Sequence, residues 1–140
     1  MLMLKLNLKK VQAFTLIEAL MTLSIVTFLA LTTSASINSI FNQVQNKLFF
    51  MAFEQVYRET QRFSASQEKE AVLRIGSNYV ENPLGHYAIP SGIVPEKEQE
   101  IVFNKAGGNS SLAKVVFKTS EERVTYQLYL GSGQYQKKRE

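Results

Sequence analysis

The sequence predicts an α+β protein in which one long N-terminal helix, membrane-spanning at its start and amphipathic further on, packs on a small antiparallel sheet. Three observations lead there. No Gly or Pro precedes Gly76, so the first half of the chain lacks the residues that interrupt helices. That half is apolar enough at its start to cross a bilayer, then apolar at three- and four-residue steps. Beyond residue 64 the texture changes to short runs, some alternating with period two, punctuated by Gly and Pro.

Phe14 to Leu31 holds Glu18 as its single charge among 18 residues, which at about 1.5 Å per residue rise roughly 27 Å, close to a bilayer core of ~30 Å. The net charge of +4 belongs mostly to Lys5, Lys9 and Lys10, ahead of this run, and the remainder is nearly neutral. Cations on that flank orient the N-terminus to the cytoplasm and the bulk of the chain outside. The divisions that follow are a basic leader 1–13, a membrane helix 14–36, its amphipathic continuation 37–64 and a small β-rich head 65–140.

Glu18 is the anomaly, since a charged residue within a span costs on the order of 2.5–3.5 kcal/mol at its centre and less near the interface. A secretory signal cut near Thr33-Ser34-Ala35 leaves it unexplained, and so does an uncut signal anchor. No Lys, Arg or His lies between Val11 and Lys47 to neutralise it. Cleavage between Ala13 and Phe14 would create a cation, because the freed α-amine would sit at Phe14, four residues before Glu18.

Lys10-Val11-Gln12-Ala13 followed by Phe14-Thr15-Leu16-Ile17-Glu18 resembles the class III signal of type IV pilins and type II secretion pseudopilins. The resemblance implies cleavage at Ala13–Phe14 by a prepilin peptidase, N-methylation of Phe14, and a fibre-assembly role for Glu18 opposite the terminal amine of a neighbouring subunit. Ala13 departs from the glycine commonest before the cut. The fold implied is pilin-like. A short, cysteine-free chain with Ile101-Val102-Phe103 before Gly107-Gly108 and a closing Gly131-x-Gly133-x-Tyr135 further resembles the competence-pilus minor pilins of Gram-positive bacteria, the ComGD type. That implies a subunit of a DNA-uptake pilus, held in the membrane before assembly and displayed on the cell surface after it, with the major and other minor pilins as partners. A type II secretion pseudopilin and an uncut, membrane-anchored binding domain stay open beside it.

Past the span, Ile37, Ile40, Phe41, Val44, Leu48, Met51, Ala52 and Val56 form a stripe expected to pack on the sheet, with Phe49, Phe50 and Phe53 close by as core or subunit contacts. Thr32 to Ser36 and Asn38-Ser39 are the weakest helical stretch, because short polar side chains offer the backbone other hydrogen bonds. Ala71 to Ile75 and Tyr87 to Ile89 read as weak strands, and Pro90 to Pro95 with Glu96, Glu98 and Glu100 as a solvated loop. Ile101–Lys105 and Leu112–Thr119 read as a hairpin around a glycine-containing loop; Arg123–Leu130 alternates after a turn at Ser120-Glu121-Glu122. Gly131-Ser132-Gly133 turns the chain toward Tyr135.

Chemistry is poorly supplied. There is no Cys and no Asp, and His86 is the sole histidine, so no enzyme activity, metal or cofactor is expected. Asn109-Ser110-Ser111 matches a short glycosylation pattern of little weight. Tyr135, Lys137, Lys138 and Arg139 gather three cations beside an aromatic. Such a tail suits phosphate contact and base stacking on DNA, or is simply a solvated terminus.

Overall fold

The computed structural model describes residues 15–110 and 112–140, with the backbone alone at 34–36. Lys5, Lys9, Lys10, Ala13 and Phe14 lie outside the described residues, as does Ser111. Among the described residues a single helix, α1 (Leu16–Gln67), is followed by eight strands: β1 (Ala71–Ile75), β2 (Tyr79–Asn82), β3 (Gly85–Ala88), β4 (Val94–Pro95), β5 (Gln99–Phe103), β6 (Lys114–Lys118), β7 (Arg123–Leu128) and β8 (Tyr135–Arg139). The chain divides into two compact units between Ser39 and Ile40, and α1 contributes to both.

In the first unit Thr15 caps the helix: its carbonyl accepts the Ala19 N–H at 3.1 Å and its Oγ1 accepts the Glu18 N–H at 3.3 Å. The hydroxyls of Thr22, Ser24, Thr27 and Thr33 each donate to the carbonyl four residues back, at 2.6–2.8 Å. Every one of these polar groups is thus satisfied within the helix, the condition hydrocarbon imposes. Backbone helix continues through the Ser/Thr-rich stretch expected to be weakest.

The second unit builds its core between the rest of α1 and two sheets. Phe49, Phe50, Phe53, Val56, Tyr57, Thr60 and Ser64 recur at helical spacing and are all buried. Against them lie two four-stranded antiparallel sheets, ordered β3-β2-β1-β5 and β4-β6-β7-β8, where the sequence suggested one small sheet. Alternate residues point inward: Ala71, Leu73, Ile75, Val80, Ile101 and Phe103 from the first sheet, Val115, Phe117, Val124, Tyr126 and Leu128 from the second. Phe49, Phe50 and Phe53 ring the Phe117 side chain at 5.0–6.0 Å, while Tyr57 meets Phe103 at 5.0 Å, so one helix face closes both sheets.

Three expectations are corrected. Ile101–Lys105 and Leu112–Thr119 do not form a hairpin: β5 pairs with β1 over five residues, and β6 pairs with β4 and β7. The intervening loop is held by Asn104, whose Oδ1 accepts the N–H of Ala106 and of Gly108, and by a bridge from Phe103 to Asn109. Nor is 90–100 a solvated loop. Val94–Pro95 and Gln99–Phe103 are strands, Glu96 pairs with Lys118 at 3.1 Å and Arg123 at 2.9 Å, and Glu100 pairs with Arg74 at 2.8 Å. Finally, the apolar stripe does not pack on the sheet: of its members past Ser39, only Val56 is buried.

The helix ends without glycine. Lys69 N–H donates to the Ser64 carbonyl at 3.2 Å across Glu68, whose φ of 50° is the left-handed conformation that glycine normally supplies at this place. Asn82, missed with the whole of β2, ties the next hairpin to α1: its Oδ1 accepts the N–H of Leu84 and Gly85, and its Nδ2 donates to the buried Thr60 Oγ1 at 3.0 Å.

Candidate assembly surface

At 100° per residue, Ile40, Phe41, Val44, Leu48 and Met51 fall on the side of α1 opposite the face that buries Phe53, Tyr57, Thr60 and Ser64. Each of the five is 50–59% exposed. Beyond Ala52 the same side turns polar, with Gln55, Arg58, Glu59 and Arg62. This helix therefore has two apolar faces in its second unit, one spent on the sheets and one left outward for about 20 Å along the axis. An outward apolar row of that length is a contact surface.

In the first unit the described side chains, residues 15–33 and 37–39, are all exposed. Leu16, Ile17, Leu20, Met21, Leu23, Ile25, Val26, Phe28, Leu29 and Leu31 are each more than half exposed, and the most apolar 18-residue window has a mean hydropathy of 1.9. Glu18 sits in the first turn of α1, exposed, with its N–H taken by Thr15. The sequence pattern Thr15-x-x-Glu18 is also a helix-start signal, which a reading centred on charge overlooked.

The tail is not a free cluster. In β8, Tyr135, Lys137 and Arg139 stand opposite Leu128, Tyr126 and Val124, on the core-facing side, while Lys138 alternates outward opposite Thr125. Tyr135 makes edge contacts with Tyr57 at 5.1 Å and Tyr126 at 5.4 Å. Lys137 Nζ lies 2.6 Å from Glu54 Oε1 and over the rings of Phe50 and Tyr126, and Arg139 reaches Glu122 at 3.7 Å. Burial opposes ionisation of Glu54, but Lys137, the Tyr126 hydroxyl and Arg58 outweigh it and hold its pKa below the ordinary 4.5. Burial pushes the Tyr57 hydroxyl up to about 12, with Tyr135 adding to the shift. Asn109 of the glycosylation pattern is 1% exposed, inside the fold. His86 lies on edge strand β3, stacked on Tyr79 at 4.8 Å. Among the described residues no cluster of His, Asp or Glu has the ligand number a metal needs.

A long, initially apolar helix whose later face packs on small antiparallel sheets, with apolar surface left outward along it, defines the pilin-like class of subunits. No family profile matches the chain, and no solved structure matches it. It is 42% identical over 130 residues to the competence protein ComGD of Streptococcus pneumoniae (strain ATCC BAA-255 / R6), a match covering 93% of this chain and 81% of that protein. The chain belongs to the ComGD family, minor pilins of competence pili, and its partners are other pilins of such a pilus.

Proposed function

We propose that the chain is a processed subunit of a DNA-uptake pilus, stored in the membrane by residues 14–36 and drawn into the fibre through α1. The observation that carries this reading is the outward apolar row from Ile40 to Met51, which continues the apolar character of the span where the protein has already covered its own core. Extraction from lipid then transfers apolar surface onto neighbouring helices with little exposure to water. In this reading a membrane prepilin peptidase cuts between Ala13 and Phe14, leaving the N-terminus inside and the head outside. Phe14 is N-methylated, and Glu18 supplies register, since a buried carboxylate is stable only where it meets a cation such as a neighbour's terminal amine.

The test is the Glu18→Ala variant expressed in a competent cell. It should be cleaved to a Phe14 N-terminus by mass spectrometry, yet be missing from sheared pili. Normal incorporation would remove the register role, and an uncut or Ser36 N-terminus would remove the processing scheme. DNA contact through Tyr135, Lys137, Lys138 and Arg139 belongs to the same proposal, with Lys138 and Arg139 its exposed members. Replacing the three cations with Gln should weaken DNA binding and flatten its salt dependence, and an unchanged slope would exclude the tail.

A further inference from the structure

We propose that the free edge of β3, with the apolar groove beside it, is a strand-docking site that takes an extended, uncharged segment of another protein. Sheet edges left open invite pairing, and proteins normally blunt them with lysines, proline, shortness or a covering segment. Among the described residues three of the four edges are treated this way. β8 carries Lys137, Lys138 and Arg139; β4 is two residues ending in Pro95; and the outer side of β5 is taken by Asn109 and Ser110, through the bridge to Phe103 and a Ser110 N–H bond to the Val102 carbonyl at 3.0 Å.

Among the described residues β3, four residues long, carries no charge or proline and no segment covers it. Gly85-His86-Tyr87-Ala88 contains no Lys, Arg or Pro. Its hairpin register, fixed by the Ile89 N–H bond to the Asn78 carbonyl at 2.8 Å, makes Val80 and Tyr87 a hydrogen-bonded pair, so the N–H and C=O of His86 and Ala88 face away from β2. Between this edge and α1 lies a groove of about 750 Å³ lined by Leu48, Ala52, Phe53, Val56, Tyr87 and Ile89 among others, and among the described residues no Glu, Lys or Arg lines it. A strand laid along β3 would bond to the free backbone groups and drop alternate side chains into the groove. This combination of main-chain affinity and pocketed side chains is how strand addition recognises peptides.

The lining sets the occupant's chemistry. With no charge in the groove, the inward side chains must be uncharged and apolar, whereas the outward ones meet the exposed His86 and Tyr79 stack and can be polar. A second copy is a poor occupant: its own β3 would present Gly85 and Tyr87 inward, and Gly85 has no side chain to seat.

The test uses the full chain in detergent micelles and a fluorescent, end-blocked Thr-Val-Thr-Val-Thr-Val peptide, read by anisotropy. The unmodified chain should bind it, and an analogue with Lys for each Val should bind at least tenfold more weakly. Ala88→Pro removes only an outward N–H, which an edge strand tolerates, and should weaken binding at least tenfold at an unchanged melting temperature. If that variant melts lower, Tyr87→Lys, which places a cation in the groove, decides the matter by the same criterion. Equal binding of the Lys peptide, retained affinity in a folded variant, or dimerisation through β3 in place of peptide binding would overturn the site. Leu48 belongs both to this groove and to the outward row of α1, so these variants leave Leu48 unchanged and incorporation of the subunit into pili is read separately.

Discussion

Replacing Phe41 and Leu48 together with Gln tests whether the outward row of α1 is an assembly face. Both residues are 59% exposed in the isolated chain. A Phe side chain presents about 200 Å², so covering the exposed part at ~25 cal/mol per Å² is worth roughly 3 kcal/mol, and Leu somewhat less. If neighbouring helices cover half of that surface, the double variant loses about 2–3 kcal/mol of association, on the order of a 30- to 150-fold fall in incorporation. Folding should hardly change, because exposed substitutions by a good helix former usually stay within ~0.5 kcal/mol. The assay is twofold: thermal unfolding of the purified chain in detergent, and immunoblotting of sheared pili against cell-retained subunit. Full incorporation at normal stability would refute the assembly face. A melting loss of several degrees would show instead that these side chains support the head.

Two further perturbations test the head itself. Glu68→Gly, at the left-handed end of α1, should stabilise the fold by up to about 1 kcal/mol in denaturant titration, since Gly meets φ of 50° without the strain a side chain brings there. The Glu54 pKa is lowered on folding, so its contribution is present above the ordinary carboxylate pKa of 4.5 and is lost as pH falls through the lower folded value. Stability should therefore decline on acidification below pH 4.5, and Glu54→Gln, measured by thermal melts across that range, should flatten the decline while lowering stability at neutral pH.

Much of this architecture could be read from periodicity alone. α1 was legible because helix breakers are missing before Gly76; β1 matches its expected bounds, and β7 and β8 follow the turns expected at Ser120–Glu122 and Gly131–Gly133. The misreadings have a common physical origin: local pattern does not say which partner an element will find. Ile101–Phe103 and Val115–Phe117 both look like halves of a hairpin, but each is a strand of a different sheet, because β1 and β7 offer longer complementary registers. The stripe from Ile40 to Ala52 has the right period for a core face, and nothing in that period distinguishes a face covered by the protein's own sheets from one covered by a neighbour. Aromatic weight was the available signal, since Phe49, Phe50, Phe53 and Tyr57 lie on the buried side. Thr60 and Ser64 obscured it, being polar residues on that side whose hydroxyls bond to helix carbonyls.

Glu18 remains the residue on which the processing scheme turns, and the structure sharpens what must be asked of it. Thr15 caps α1 through its Oγ1, and in such a pattern the third helical residue can be Glu or Gln, because either side chain can reach back toward the cap. A helix-start role is therefore indifferent to charge, whereas pairing with an ammonium is not. Glu18→Gln separates the two: it keeps shape and capping ability and removes the carboxylate. If Glu18 serves only to start the helix, the Gln variant enters pili normally and only Ala is defective. If the carboxylate answers a terminal amine, Gln fails as Ala does, although it removes the cost of a charge near the membrane interface, below the roughly 2.5–3.5 kcal/mol of a central position, and so should make the membrane-held subunit more stable. A variant more secure in the membrane yet absent from the fibre is an outcome that capping cannot produce. Measuring membrane retention alongside pilus incorporation for Gln and Ala thus decides between a local and an intersubunit purpose for the charge.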